Sequence, residues 1–212
     1  MRMNDEFFPT GGSDSLHPAP PENIIMVEDK QNLMEIAPDT NIFYYLVKDC
    51  RFTFNSEKCK QFKEISKKVM DLAKVEGCVI VPTVAKETKK SWLEEYGHFC
   101  KVEPVTDNRV KKFVEKLAVR AFSDEEFLEV CTSKGGDRFE RIKKAMDGDW
   151  KAIGEAIALG AMFVSFDKNV WHPYCEKVYN EVAEDVFGEP ARILSAKKLV
   201  EDLQRRAEQA GR

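Results

Sequence analysis

Asp39, Glu87, Asp149 and Asp167 each fall where an apolar run gives way to a turn or a helix start. Acids at such junctions can converge from separate elements. Four ionised carboxylates held close together repel one another and raise each other's pKa unless a cation neutralises them. The chemistry implied is a hard divalent ion, magnesium or manganese, held by oxygen ligands and water. Singly, each acid has an ordinary explanation: Asp39 caps a turn, Asp149 is a helix N-cap, Asp167 closes a strand in an Asx-turn, and Glu87 is a solvated helix residue. Their joint occurrence favours a site. Asp147 rivals Asp149, but a helix phased from Asp147 puts Trp150 and Gly154 where small inward residues should lie. Glu155 and Asp185 read as solvated.

A short amide or hydroxyl beside such acids can fix carboxylate rotamers and donate to a phosphate oxygen, which makes Asn41 and Ser165 candidate supports. An acidic pocket cannot attract a polyanion unaided, so substrate contact should fall on a basic rim. Lys86, Lys89 and Lys90 flank Glu87, Lys143, Lys144 and Lys151 surround Asp149, and Lys168 follows Asp167. Charge on exposed helices also serves solubility alone.

A chain of 212 residues with 43% hydrophobic content can build its own core, and a net charge of −4 excludes a global basic field. The six cysteines contain no C-x-x-C pair and the three histidines no H-x-x-x-H pair, so zinc is not expected. No apolar leader precedes Asp5 and Glu6, which predicts reduced cysteines and a cytoplasmic protein. The longest apolar run, Ala156 to Val164, is too short to span a bilayer, so no membrane is expected. Neither G-x-G-x-x-G nor G-x-x-x-x-G-K-[ST] occurs, which leaves a nucleotide cofactor unsupported.

These residues need elements to position them. Residues 1–30, rich in proline and without period, read as a mobile tail, and 31–212 as a single domain. A short strand from Leu33 turns at Pro38-Asp39-Thr40-Asn41. Cys59, Phe62, Ile65, Val69, Leu72 and Ala73 mark an amphipathic helix over residues 56–76, stopped by Gly77. Cys78-Val-Ile-Val is a buried strand, and one helix runs from beyond Pro82 through Glu87, Trp92 and Tyr96. Further helices are expected over Val110 to Ala121, Arg138 to Met146 and from Asp149 to Gly160, with strands at Val102, Met162 and Ala191. Residues 169–190 show little period, and Ser195 caps a last helix. Strands alternating with helices predict a three-layer α/β/α sandwich around a central, mainly parallel sheet, with acids beyond the strand ends.

The ordered pattern resembles the PIN domain family of metal-dependent ribonucleases. The resemblance rests on Asp39-Thr40-Asn41 after a first strand and on Pro82-Thr-Val-Ala-Lys-Glu87 after a second. Its third patch is Asp149, Ala152, Ala156, Gly160, Ser165 and Asp167. It covers roughly Leu33 to Leu203. Pro38 departs from the family's apolar strand residue, and the segment after Asp167 is longer than in compact members. The resemblance implies an endoribonuclease using Mg²⁺ or Mn²⁺, with RNA as partner. Other readings are a toxin-like protein held by a cognate antitoxin, an RNA-binding module with little catalysis, and a different doubly wound metal enzyme. A homodimer is also compatible. A phosphatase is weakened because Asp39-Thr40-Asn41 lacks the D-x-D nucleophile pair.

Overall fold

A computed structural model describes residues 34–210; the tail expected over residues 1–30 lies outside them. Strand β1 (Ile36–Pro38) is buried throughout and ends at Asp39, whose carboxylate accepts from the Thr40 amide and caps α1 (Thr40–Val47). After a 3-10 turn at Cys50–Phe52, α2 (Ser56–Glu76) follows its apolar stripe closely, with Asn55 as cap and Gly77 at φ 114° as stop. Next come β2 (Val79–Ile80), α3 (Pro82–Glu87), α4 (Lys90–Tyr96) and β3 (Lys101–Val102). The single helix expected through Tyr96 is thus two, divided where Thr88 turns extended just after Glu87.

Helices dominate the remainder: α5 (Asn108–Ser123), α6 (Glu125–Cys131), α7 (Arg138–Asp147) and α8 (Asp149–Ala158) precede β4 (Met162–Ser165). Then follow α9 (Lys168–Trp171), α10 (Pro173–Phe187), β5 (Ile193–Ser195) and α11 (Ala196–Ala210), with Ser195 Oγ accepting from the Lys198 amide. Residues 169–190 are therefore mostly helical. Cys175, Val178, Tyr179 and Ala183 recur at helical spacing and are buried, but cysteine and tyrosine diluted the signal, and Pro173 opens the helix rather than breaking it.

The expected three-layer sandwich around a central parallel sheet does not form. Among the described residues, 69% are helical and 9% lie in strands. The two sheets hold three strands (β1-β4-β5) and two strands (β2-β3), all pairings parallel, with one isolated bridge from Ile36 to Cys78 between them. The apolar runs are cut early by Pro38, Pro82 and Asp167, so the strands stay short and helical faces supply most of the core. Trp150, Tyr179, Phe43, Phe113 and Phe127 are its largest fully buried side chains.

Helix α8 is buried nearly all round, including Trp150, Gly154 and Glu155. A Cβ on Gly154 would lie 3.1 Å from the Phe113 ring, so glycine permits the close approach of α5. Trp150 and Gly154 both face inward, so helix phase does not count against Asp147 as expected. Asp149 still begins α8, because Gly148 breaks the chain between α7 and α8.

The cysteines, expected to be reduced, are paired as Cys50–Cys59, Cys78–Cys100 and Cys131–Cys175, and none is free among the described residues. Cys78 and Cys100 meet because β2 and β3 run side by side, and Cys131 meets Cys175 where α6 packs on α10. Among the described residues no helix is long and apolar enough to cross a membrane.

Candidate functional site

The sheet register brings Asp39 to the end of β4, which leads to Asp167. Pro38 pairs with Val164, and the Asp39 amide donates to the Val164 carbonyl at 2.9 Å, so Asp39 and Ser165 leave their strands side by side. Ser165 Oγ donates to Asp39 Oδ2 at 2.6 Å and accepts from the Asp167 amide at 2.9 Å. Asn41 Nδ2 donates to the same Asp39 oxygen at 2.6 Å and to Ser165 Oγ at 2.9 Å, while its Oδ1 accepts from the Phe166 amide at 3.2 Å. One amide and one hydroxyl thus hold Asp39, the end of β4 and the turn into α9 in fixed relation. Asp167 caps α9 by accepting from the Asn169 amide at 3.0 Å.

Asp149 and Glu87 arrive from helices. Asp149 occupies the first turn of α8, where the helix dipole favours negative charge. Glu87, an exposed residue, ends α3, and its Oε2 lies 3.4 Å from Thr40 Oγ1. Thr40 and Thr88, whose hydroxyls stand 3.4 Å apart, link α1 to the end of α3.

The four acids share one electrostatic field. Burial first, and then the charges of Asp39, Asp167 and Glu87, lift the Asp149 carboxyl to about 7 against the pull of Lys144. Burial, partly offset by the Ser165 and Thr40 hydrogen bonds and aided by the charges of Asp167 and Glu87, leaves Asp39 at about 6. Glu87 is also raised, first by desolvation, with Lys86 opposing. The buried Tyr179 phenol is pushed up by burial and then by the charge of Asp149.

The donor set is all carboxylate oxygen, which suits a hard cation, and buried acids with raised pKa are the electrostatic demand a cation relieves. Among the described residues, however, no three acid, imidazole or thiol groups lie close enough together to form a ready ion cradle.

Two further placements correct the sequence reading. Glu155, expected to be solvated, is only 3% exposed. Its carboxylate accepts from the Thr83 amide at 2.8 Å and from Thr83 Oγ1 at 3.0 Å, which caps α3 from α8 and ties the helix bearing Glu87 to the helix bearing Asp149. A Thr after Pro82 and an acid inside an apolar helix face were the available signals. Of the basic candidates, Lys86 and Lys144 act electrostatically on Glu87 and Asp149. Lys143 and Lys168 are exposed, Lys90 pairs with Glu94 at 3.6 Å, and Lys89 stands over the Trp92 ring. Lys151 lines a different cleft, of about 420 Å³, with Asp147 and Lys111.

No family model, curated protein or solved structure matches the chain.

Proposed function

We propose that the chain is a divalent-metal-dependent phosphodiesterase, an endoribonuclease of the kind its sequence resembles, in which Asp39, Glu87, Asp149 and Asp167 hold Mg²⁺ or Mn²⁺. The observation that carries the reading is the mutual field of four acids delivered by four separate elements, with Asp39 and Asp149 held well above the usual carboxylate range. Structural carboxylates are normally paired with cations or amide donors, and acids lifted first by burial and then by one another's charge favour a ligand of opposite sign. A bound divalent ion would supply positive charge for the phosphate and make its water more acidic.

The chain's own residues do the rest. Asn41 and Ser165 hold Asp39 Oδ2 while the Thr40 amide donates to Oδ1, which keeps the carboxylate in one orientation. Glu155 sets the position of Glu87 through α3, and Lys86 and Lys144 offset part of the negative field for an approaching polyanion.

A labelled RNA incubated with the disulfide-intact chain tests the reading directly. Cleavage is expected with Mg²⁺ or Mn²⁺, none in EDTA, and a loss of at least about a hundredfold in Asp167→Asn, since removing a metal ligand or its support costs on that order. Absence of metal-dependent cleavage in the parent, or full activity in the variant, refutes it.

A further inference from the structure

Beside the acids lies an aromatic surface. Phe166, the residue preceding Asp167, places its ring centroid 4.7 Å from Phe62 of α2 and 5.3 Å from Tyr45 of α1. Tyr45 and Phe62 are themselves 4.8 Å apart. None of the three is fully buried. Phe62 walls two adjoining depressions, one of about 260 Å³ shared with Tyr45, Lys48 and Lys58 and one of about 440 Å³ shared with Lys58, Gln61 and Lys197.

Ammonium groups accompany these rings. Lys58 Nζ stands 5.5 Å from the Phe62 centroid and Lys48 Nζ 4.5 Å from that of Tyr44, the neighbour of Tyr45. Across α1, Lys89 Nζ stands 5.1 Å from the Trp92 centroid, and Trp92 lies 6.2 Å from Tyr44. Glu57 is the acid on the outer depression, and Lys197 pairs with Glu201 at 3.5 Å, so Lys48 and Lys58 supply the positive charge nearest the rings.

Aromatic faces interleaved with lysines meet the two chemistries of an unpaired nucleotide, a flat base and an anionic phosphate. A duplex keeps its base faces stacked and cannot use them. We propose that the groove walled by Phe62 and Tyr45 is a stacking subsite for unpaired nucleotides adjacent to the scissile phosphate, which Phe166 joins to Asp167. The assignment rests on the phosphodiesterase reading for its direction along the strand, whereas binding itself can be measured without catalysis.

Fluorescence anisotropy in EDTA tests it with a labelled ten-nucleotide oligouridylate, its deoxy counterpart, an abasic oligomer of equal charge and a ten-base-pair duplex. The oligouridylate is expected to bind at least about fivefold more tightly than the abasic strand, and Phe62→Leu should remove most of that difference, since stacking on an aromatic ring carries this much per base. Lys58→Ala should weaken both strands alike and lower the salt slope by about one. Deoxy binding equal to the ribo strand places recognition in base and phosphate; tighter ribo binding adds a 2′-hydroxyl contact.

Equal affinity for abasic and base-bearing strands, or unchanged oligouridylate binding in Phe62→Leu, overturns the subsite. If Phe62→Leu does not fold, photocrosslinking of a 4-thiouridine oligomer to the unmodified chain decides: attachment to the peptides holding Tyr45 or Phe62 supports the subsite, and attachment elsewhere overturns it. Stacking-dependent binding without metal-dependent cleavage would sink the phosphodiesterase reading while leaving the groove standing.

Discussion

Replacing Asp149 by Asn should stabilise the metal-free protein at neutral pH, although it removes a residue of the candidate site. The Asp149 carboxyl is raised from 3.8 to about 7 in the fold, so the native state binds its proton more tightly than the unfolded chain does. The stabilisation linked to that proton is fully present below about pH 4 and is lost as pH rises through about 7. At about 1.4 kcal/mol per pKa unit, the loss for the shift from 3.8 to about 7 is on the order of 4 kcal/mol, an upper figure because neighbouring acids relax when one charge disappears. Asparagine fills the same volume and carries no charge at any pH in this range.

In a chain of this size each kcal/mol moves the melting temperature by roughly 2–4 °C, so the variant should melt up to about 16 °C higher than the parent at pH 8. At pH 4 the two should nearly coincide. Scanning calorimetry in EDTA from pH 4 to pH 8 gives the comparison, with Asp39, lifted to about 6, leaving a smaller slope of the same sign in the variant. Adding Mn²⁺ at pH 8 should raise the parent's melting temperature more than the variant's, because an ion bound only to the native state stabilises it by linkage. Melting curves that shift in parallel with pH, or a variant less stable at pH 8, would refute the electrostatic account of the site.

Glu155→Ala should cost about 2–4 kcal/mol in urea unfolding, because it leaves the buried Thr83 amide without its acceptor and Thr83 Oγ1 without its partner. Glu155→Gln should recover most of that loss, as its amide can accept from the one and donate to the other; equal losses in the two variants would show that packing, not the cap, is at stake. Thiol alkylation followed by intact-mass measurement should modify none of the cysteines before reduction and all six after it. Reduction should also lower the melting temperature substantially, since each disulfide contributes about 2–4 kcal/mol. Alkylation of the unreduced protein would contradict the pairing.

Much of the helical framework was legible in the chain. Asn55, the apolar stripe from Cys59 to Ala73 and Gly77 delimit α2 because capping and period are local properties. The same holds for α5 and for α8 with its break at Gly148. Segments whose apolar positions included cysteine or tyrosine were harder to read, as α6 and α10 show. The sheet was overread: a β-branched run such as Cys78 to Val81 signals a strand, but the partners available determine how far pairing extends.

The sequence by itself picked out the candidate residues on which the proposed chemistry rests: the acids at the ends of apolar runs, the Asp39-Thr40-Asn41 triplet and Ser165 ahead of Asp167. These are local signals, since a turn acid and its neighbours lie within a few residues of one another. Only the tertiary structure decided which groups meet. It set Ser165 against Asp39 through the register of β1 and β4, turned Glu155 inward to hold Thr83, and paired six cysteines across elements distant in sequence. Burial and through-space repulsion depend on what packs on the far side of a residue, and that is why the raised pKa values of Asp39 and Asp149 belong to the fold rather than to the chain.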